Sequence, residues 1–262
     1  MDLTYHASRI NNANKETAKQ AYDILLAYFT QKFIDYNNKE SRKLIKRITK
    51  IGGSYAEKII KIIETPIINK EIDNEIKKAA EQAGIDGKEI HEAREFYRAV
   101  KPLFPDKFDY IVDICSGNGL NGFYWLLQGA ADNISFVDID ENSHFKKLEK
   151  ILQVKYELNQ SGIENYNPPK NALITAIHAC GSLTDKTIDL AINNDNNFAV
   201  MPCCYNADND LIDKSLLEYF NAKGDCIDVL RINKIQEAGY TPLIRKISQS
   251  ITDKNRILIG IK

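Results

Sequence analysis

Three groups of residues in this sequence have types and spacings that can do chemistry. The first is the run Asp113-Ile114-Cys115-Ser116-Gly117-Asn118-Gly119-Leu120-Asn121-Gly122, which follows a short apolar stretch. Small residues let a backbone come close to a ligand, and the first turn of a helix offers free N–H groups. Gly117, Gly119 and Gly122 fit the pattern G-x-G-x-x-G, which by itself is a weak sign of a dinucleotide turn. Asp113 argues against a pyrophosphate, because its carboxylate repels phosphate and attracts a cationic amine. Asp138 and Asp140 close the next apolar stretch and can accept ribose hydroxyls there, or cap the helix that follows. The candidate ligand-binding residues are therefore Asp113, Cys115, Ser116, Gly117, Asn118, Gly119, Asp138 and Asp140, joined by His178.

The second group is His178, Cys180, Cys203 and Cys204, which fall at the ends of two further apolar stretches. Four nitrogen and sulfur groups match the count of a zinc site, but vicinal cysteines make poor paired ligands and there is no C-x-x-C knuckle. No metal is expected on these grounds. Cys203 can instead be a nucleophile toward a pyrimidine carbon, or the thiols can be small residues that shape a pocket. His178 stands where a side chain can accept or orient a hydroxyl proton, or it can be a satisfied structural histidine.

The third group is basic. Arg42, Lys43, Lys46, Arg47, Lys50, Lys58 and Lys61 lie close together with only Glu57 opposing them. Such a stripe can meet RNA phosphates, or can be an ordinary solvated face of a lysine-rich protein.

The elements that must position these groups divide at about residue 104. Before it, Ala18–Phe33, Ser41–Ile51, Tyr55–Ile63, Glu71–Ala83 and Lys88–Val100 space their apolar residues as helices do. Gly84 and Pro66 are plausible helix stops. After it, strand patterns at Phe108–Ile114, Asn133–Ile139, Ala172–Ile177 and Phe198–Met201 alternate with helical ones at Leu120–Gly129, Asn142–Asn159, Thr184–Ile192, Leu211–Phe220 and Asp228–Ala238. That alternation predicts a doubly wound parallel sheet. Thr241–Ser248 and Arg256–Ile261 are joined by a loop too short for a helical crossover, so they should pair antiparallel. Asn167-Pro168-Pro169-Lys170 reads as a loop. The expected organisation is a helical N-terminal domain over residues 1–104 and an α/β domain over 105–262.

Composition fits this plan. The chain has 262 residues with a net charge of −1. Residues 1–107 hold 20 Lys and Arg against 16 Asp and Glu, and the remainder 15 against 20, so the two parts differ in sign. The polar N-terminus carries no signal-peptide pattern, and no apolar run approaches the ~20 residues that span a membrane. The five cysteines form no framework and read as reduced thiols, which points to the cytoplasm.

Phe108–Gly122 resembles the first motif of the class I S-adenosylmethionine-dependent methyltransferases, and Asn133–Asp140 resembles the second. Ala238-Gly239-Tyr240 is similar to the segment before their closing strand pair. Two further segments, His178-Ala179-Cys180-Gly181 and Pro202-Cys203-Cys204-Tyr205, resemble a particular methyltransferase-domain group. That group includes a tRNA 2′-O-methyltransferase and the methyltransferase part of glutathione S-transferase C-terminal-domain-containing proteins. Arg94-Glu95-Phe96-Tyr97 resembles its lead-in helix. The resemblance implies a Rossmann-like fold, S-adenosylmethionine as cofactor and an RNA acceptor, with a protein or small-molecule acceptor, or a non-catalytic scaffold, as alternatives. It makes His178, Cys203 and Tyr205 the candidate catalytic residues. One position departs from the family: Cys115 stands where the first glycine of the motif is usual.

Overall fold

The structure is a computed structural model that describes residues 68–104, 106–205 and 223–262. The basic stripe at Arg42–Lys61, the helices expected before residue 68 and the helix expected over Leu211–Phe220 lie outside these residues. Lys70–Tyr97 and Asp106–Lys262 form one compact unit. The short stretch 98–104, with its single 3-10 turn at Lys101–Leu103, groups apart from it.

The unit is built on a seven-stranded sheet in the order β3-β2-β1-β4-β5-β7-β6. Its strands are β1 (Phe108–Ile114), β2 (Ala131–Asp138), β3 (Glu157–Gln160), β4 (Leu173–Ile177), β5 (Asn197–Met201), β6 (Thr241–Lys246) and β7 (Arg256–Ile261). The first five are parallel, and β7 runs antiparallel to both β5 and β6. This is the Rossmann-like arrangement expected, with its antiparallel closing pair. The central strands read as near-continuous Val, Ile and Ala because both faces of a parallel sheet are covered. Val112, Ile114, Ile174, Ala176, Phe198, Val200 and Leu258 make one core layer among them.

The described helices are α1 (Lys70–Ala83), α2 (Gly87–Val100), α3 (Leu120–Leu127), α4 (Ser143–Leu152), α5 (Ser182–Asn193) and α6 (Lys223–Glu237). Helix α1 ends where Gly84 turns to a φ of 84°, and the N–H groups of Gly84 and Ile85 return to the carbonyls of Glu81 and Ala80. Only a residue without Cβ takes that turn cheaply. Helix α1 and the residues of α2 as far as Tyr97, which the sequence places before the residue-104 boundary, lie in the same unit as the sheet. Arg94 on α2 meets Asp73 on α1 at 3.1 Å, and Asp73 accepts the Tyr124 hydroxyl of α3.

One element differs from the sequence reading. The helix expected over Asn142–Asn159 stops at Leu152, because Gln153 takes a left-handed φ of 51°. The following Glu157–Gln160 becomes edge strand β3, paired with β2 from Ser135 to Asp138. Three of its four residues are exposed, so the polar segment carries no alternation by which a strand could be recognised.

Candidate active site

Parallel strands bring their C-terminal ends to one edge, and ligands of open α/β sheets bind beyond that edge. Here the ends of β1, β2, β4 and β5 deliver Cys115–Gly119, Asp138, His178 and Met201–Tyr205.

The turn after β1 is tight. The Gly119 N–H donates to the Ser116 carbonyl at 2.7 Å, and the Ser116 N–H reaches the Val137 carbonyl at 3.3 Å. Gly119 has a φ of 74° and caps α3, and a Cβ there would fall 2.5 Å from the Phe145 ring. That ring belongs to a cluster with Phe123, Phe136 and Tyr156 beneath the turn. The glycine is thus demanded by backbone and neighbour together. Cys115 also takes a left-handed φ of 54°, the conformation for which glycine is usual. Its burial, then the charges of Asp138 and Asp113, push the thiol up to about 12.

Asp138 lies half-buried at the end of β2. Its Oδ2 accepts the Gly117 N–H at 2.8 Å, and its Oδ1 accepts the Asp140 N–H at 3.2 Å. It therefore clamps the glycine turn to the second strand, and Asp140 itself is exposed. Asn118 reaches Glu89 of α2 at 2.9 Å while its own carbonyl oxygen accepts the Leu120 N–H.

Asp113 is held from the α3 side. It is buried, with Oδ1 accepting Asn121 Nδ2 at 2.6 Å and Oδ2 accepting the Gly122 N–H at 3.0 Å, and with Thr175 alongside at 3.4 Å. Burial pushes its carboxyl up to about 7, against the pull of those donors. An acid one residue before the strand's end points across the sheet into the α3 packing, where it secures the start of that helix.

At the end of β4, His178 departs from the strand with a φ of 62° while its N–H still bonds the Met201 carbonyl at 2.9 Å. Its Nε2 meets Glu92 Oε2 at 2.9 Å, with Nε2 donating and the carboxylate accepting. Nδ1 is buried and has no hydrogen-bond partner. Glu92 on α2 is buried too, with Lys88 at 3.7 Å. Burial alone would raise its carboxyl; the hydrogen bond and charge of His178, with Lys88, bring it below the ordinary value. Glu92 is absent from the sequence reading. Its signal is faint: it is an acid beside Ala93 and four residues before Phe96, with charged Lys88, Glu89 and Glu95 around it on the helix.

Tyr205 proves to be an anchor. Its hydroxyl donates to Asp228 at 3.0 Å, and Arg256 lies over its ring at 5.0 Å. Burial, then the Asp228 charge, push it up to about 12. Asp228 is bound in turn by Arg256 at 2.9 Å and by Arg231, which grips Asp185 of α5 through two bonds of 2.8 and 2.9 Å. Cys203 donates to the His178 carbonyl at 3.7 Å and lies 3.5 Å from Cys204, which lies 3.5 Å from Cys180. Burial, then the neighbouring thiols, push the Cys203 thiol well above its ordinary range, so it stays protonated and is disfavoured as a free nucleophile.

Residues 88–209 match a protein family described as a methyltransferase domain. A glutathione S-transferase C-terminal domain-containing protein of Xenopus laevis is 29% identical over 106 residues, which are 37% of this chain and 16% of that protein. The chain thus matches about a sixth of that relative's length. Two solved structures are similar in outline. A SAM-dependent methyltransferase from Aquifex aeolicus has a TM-score of 0.45 and 12% identity, over 72% of this chain and 97% of that one. An rRNA methylase from Streptococcus thermophilus has a TM-score of 0.41 and 17% identity, over 60% and 88%. The matched segment begins within α2, the helix that carries Glu92, and contains every residue of the glycine turn.

Proposed function

We propose that this protein transfers a methyl group from S-adenosylmethionine to RNA. The observation that carries the reading is the meeting, at one sheet edge, of a glycine turn clamped by Asp138 and a histidine held by a buried carboxylate. The cofactor fits the first half on two counts. The Gly117 position is open, with nothing within 4 Å of where a Cβ would stand. Asp138 is a half-buried acid at the end of β2, where a ribose is met in such sheets. When bound, the cofactor supplies an electrophilic methyl group on a sulfonium. The chain's part is positioning in a water-poor pocket. Ser116, Gly117, Asn118 and Gly119 present backbone to the cofactor, and Asp138 turns from the Gly117 N–H to the ribose hydroxyls. His178 orients the acceptor hydroxyl or takes its proton, while Glu92 holds the ring through Nε2.

RNA as acceptor rests on the resemblance of the His178–Gly181 and Pro202–Tyr205 segments and on the basic residues Arg42, Lys43, Lys46 and Arg47. The deciding experiment pairs calorimetry of S-adenosylhomocysteine with a methyl-transfer assay on total RNA. Binding of the cofactor product and methylation of RNA, lost in His178→Ala, are expected. No heat with either cofactor form, together with binding of NAD, would overturn the reading. Cofactor binding with a protein or small-molecule fraction methylated in place of RNA would move the acceptor.

A further inference from the structure

The thiols of Cys180, Cys203 and Cys204 have an arrangement that packing does not explain. Cys180 follows β4 and the other two follow β5, adjacent parallel strands whose last partners are Ile177 and Met201. The three sulfurs all lie within 4.8 Å of one another, with two separations of 3.5 Å. A zinc–thiolate bond of about 2.3 Å sets sulfurs around a tetrahedral ion about 3.8 Å apart, which this spacing approaches. A disulfide needs sulfurs at about 2.05 Å and uses only two of them. Cysteines kept merely as small apolar residues are buried, as Cys226 is, whereas Cys180 is exposed and its two neighbours are half-buried.

Adjacent residues of an extended chain point to opposite sides, which is why vicinal cysteines read from sequence as poor paired ligands. Here β5 ends at Met201, and beyond it both sulfurs fall on one side. The scaffold is also fixed at both arms. Tyr205, next to Cys204, is tied to Asp228 and Arg256, and Asp185, in the first turn of the helix that follows Cys180, is tied to Arg231. Arg231 and Asp228 join these arms into one buried network. Ligands held in place by such a second layer bind metal without paying to be ordered.

From this geometry we infer that Cys180, Cys203 and Cys204 bind one zinc ion, with a fourth coordination position open at the cofactor edge. Among the described residues no further His, Cys, Asp or Glu joins the cluster. Loading forms three S–Zn bonds and releases three protons to solvent, and leaves the fourth position to water. The site does not depend on the methyl-transfer reading, since neither the glycine turn nor His178 supplies a ligand.

The test is titration of the reduced, full-length chain with cobalt(II), followed by alkylation of the zinc-loaded and chelator-treated protein with mass-spectrometric mapping. Cobalt should give thiolate charge-transfer bands and the visible bands of a tetrahedral ion at one equivalent, displaced by zinc. Zinc should protect Cys180, Cys203 and Cys204 from alkylation, and chelation should remove that protection. Changing the three to serine should abolish the cobalt bands, while Cys115→Ser and Cys226→Ser should keep them. The alkylation map needs no variant, so a failure of the triple variant to fold leaves it decisive. Absence of cobalt bands and of zinc-dependent protection in the parent would overturn the inference, as would unchanged cobalt binding by a folded triple variant.

Discussion

At the scale of single residues, three side chains at the sheet edge separate by what they touch. Asp138 is half-buried and holds only backbone N–H groups, which a ligand can replace. Asp138→Ala should weaken S-adenosylhomocysteine binding by roughly 1–3 kcal/mol, the cost of leaving bound polar groups unpaired. Calorimetry checks this, and an unchanged affinity would take Asp138 out of the site. Glu92 acts through His178. Glu92→Gln should lower kcat by roughly 10²-fold, the lower end of what a positioned acid–base group contributes, with S-adenosylhomocysteine affinity and folding nearly unchanged. A change confined to cofactor affinity would show that the pair is structural. Asp113 is the third. Its folded-state value of about 7 lies above the unfolded value of about 3.9. The unfolded chain therefore ionises first, and the stability that the neutral buried acid contributes is lost as pH rises from about 4 to about 7. The unfolding free energy of the parent should fall relative to that of Asp113→Asn across that window. A flat or rising difference would mean that the Asn121 and Gly122 donors outweigh burial and keep the acid ionised.

At the scale of elements, two junctions decide whether the edge is assembled. The β1–α3 turn depends on Gly119. Gly119→Ala must place a Cβ against Phe145 while holding a left-handed φ, which costs at least ~1–2 kcal/mol for the conformation alone. A lowered Tm and weakened S-adenosylhomocysteine binding are expected together; a stable variant would mean that the Phe145 ring yields. The second junction joins α5, α6 and β7 through Arg231, which is 3% exposed between Asp185 and Asp228. Arg231→Ala leaves Asp228 buried with half of its compensation, and breaking such a pair costs about 3–5 kcal/mol. Urea denaturation measures it. A loss under about 1 kcal/mol would show that Arg256 alone satisfies Asp228.

At the scale of the whole molecule, every feature assigned to the cofactor lies after Phe108, and the part before it carries the opposite charge. We propose that residues 1–107 govern the acceptor, with Glu92 as their contribution to the site itself. Reversing the charge of Arg42, Lys43, Lys46 and Arg47 together should weaken RNA binding and flatten its salt dependence, because fewer counterions are released. S-adenosylhomocysteine affinity should stay where it is. Lost cofactor affinity with unaltered RNA binding would reverse the assignment. No helix among the described residues is long and apolar enough to cross a membrane.

The sequence by itself determined the strand–turn–helix of Phe108–Leu127, the buried parallel strands and the antiparallel closing pair. Those features are written in local chemistry: runs of Val and Ile, small residues at a turn, and a loop length that forbids a crossover. It also gathered His178 and three cysteines at strand ends, since in a parallel sheet a strand's last residue is always at the same edge. Only the tertiary structure decided what those residues meet. Glu92 reaches His178 from 86 residues away, Tyr205 is claimed by Asp228, and Asp113 is held by Asn121 of α3. Strand β3 exists because β2 offers it an edge to pair with, not because Glu157–Gln160 favours a strand. Pairings between distant elements depend on which neighbours the sheet order brings together, and a side chain's type and spacing do not encode that order.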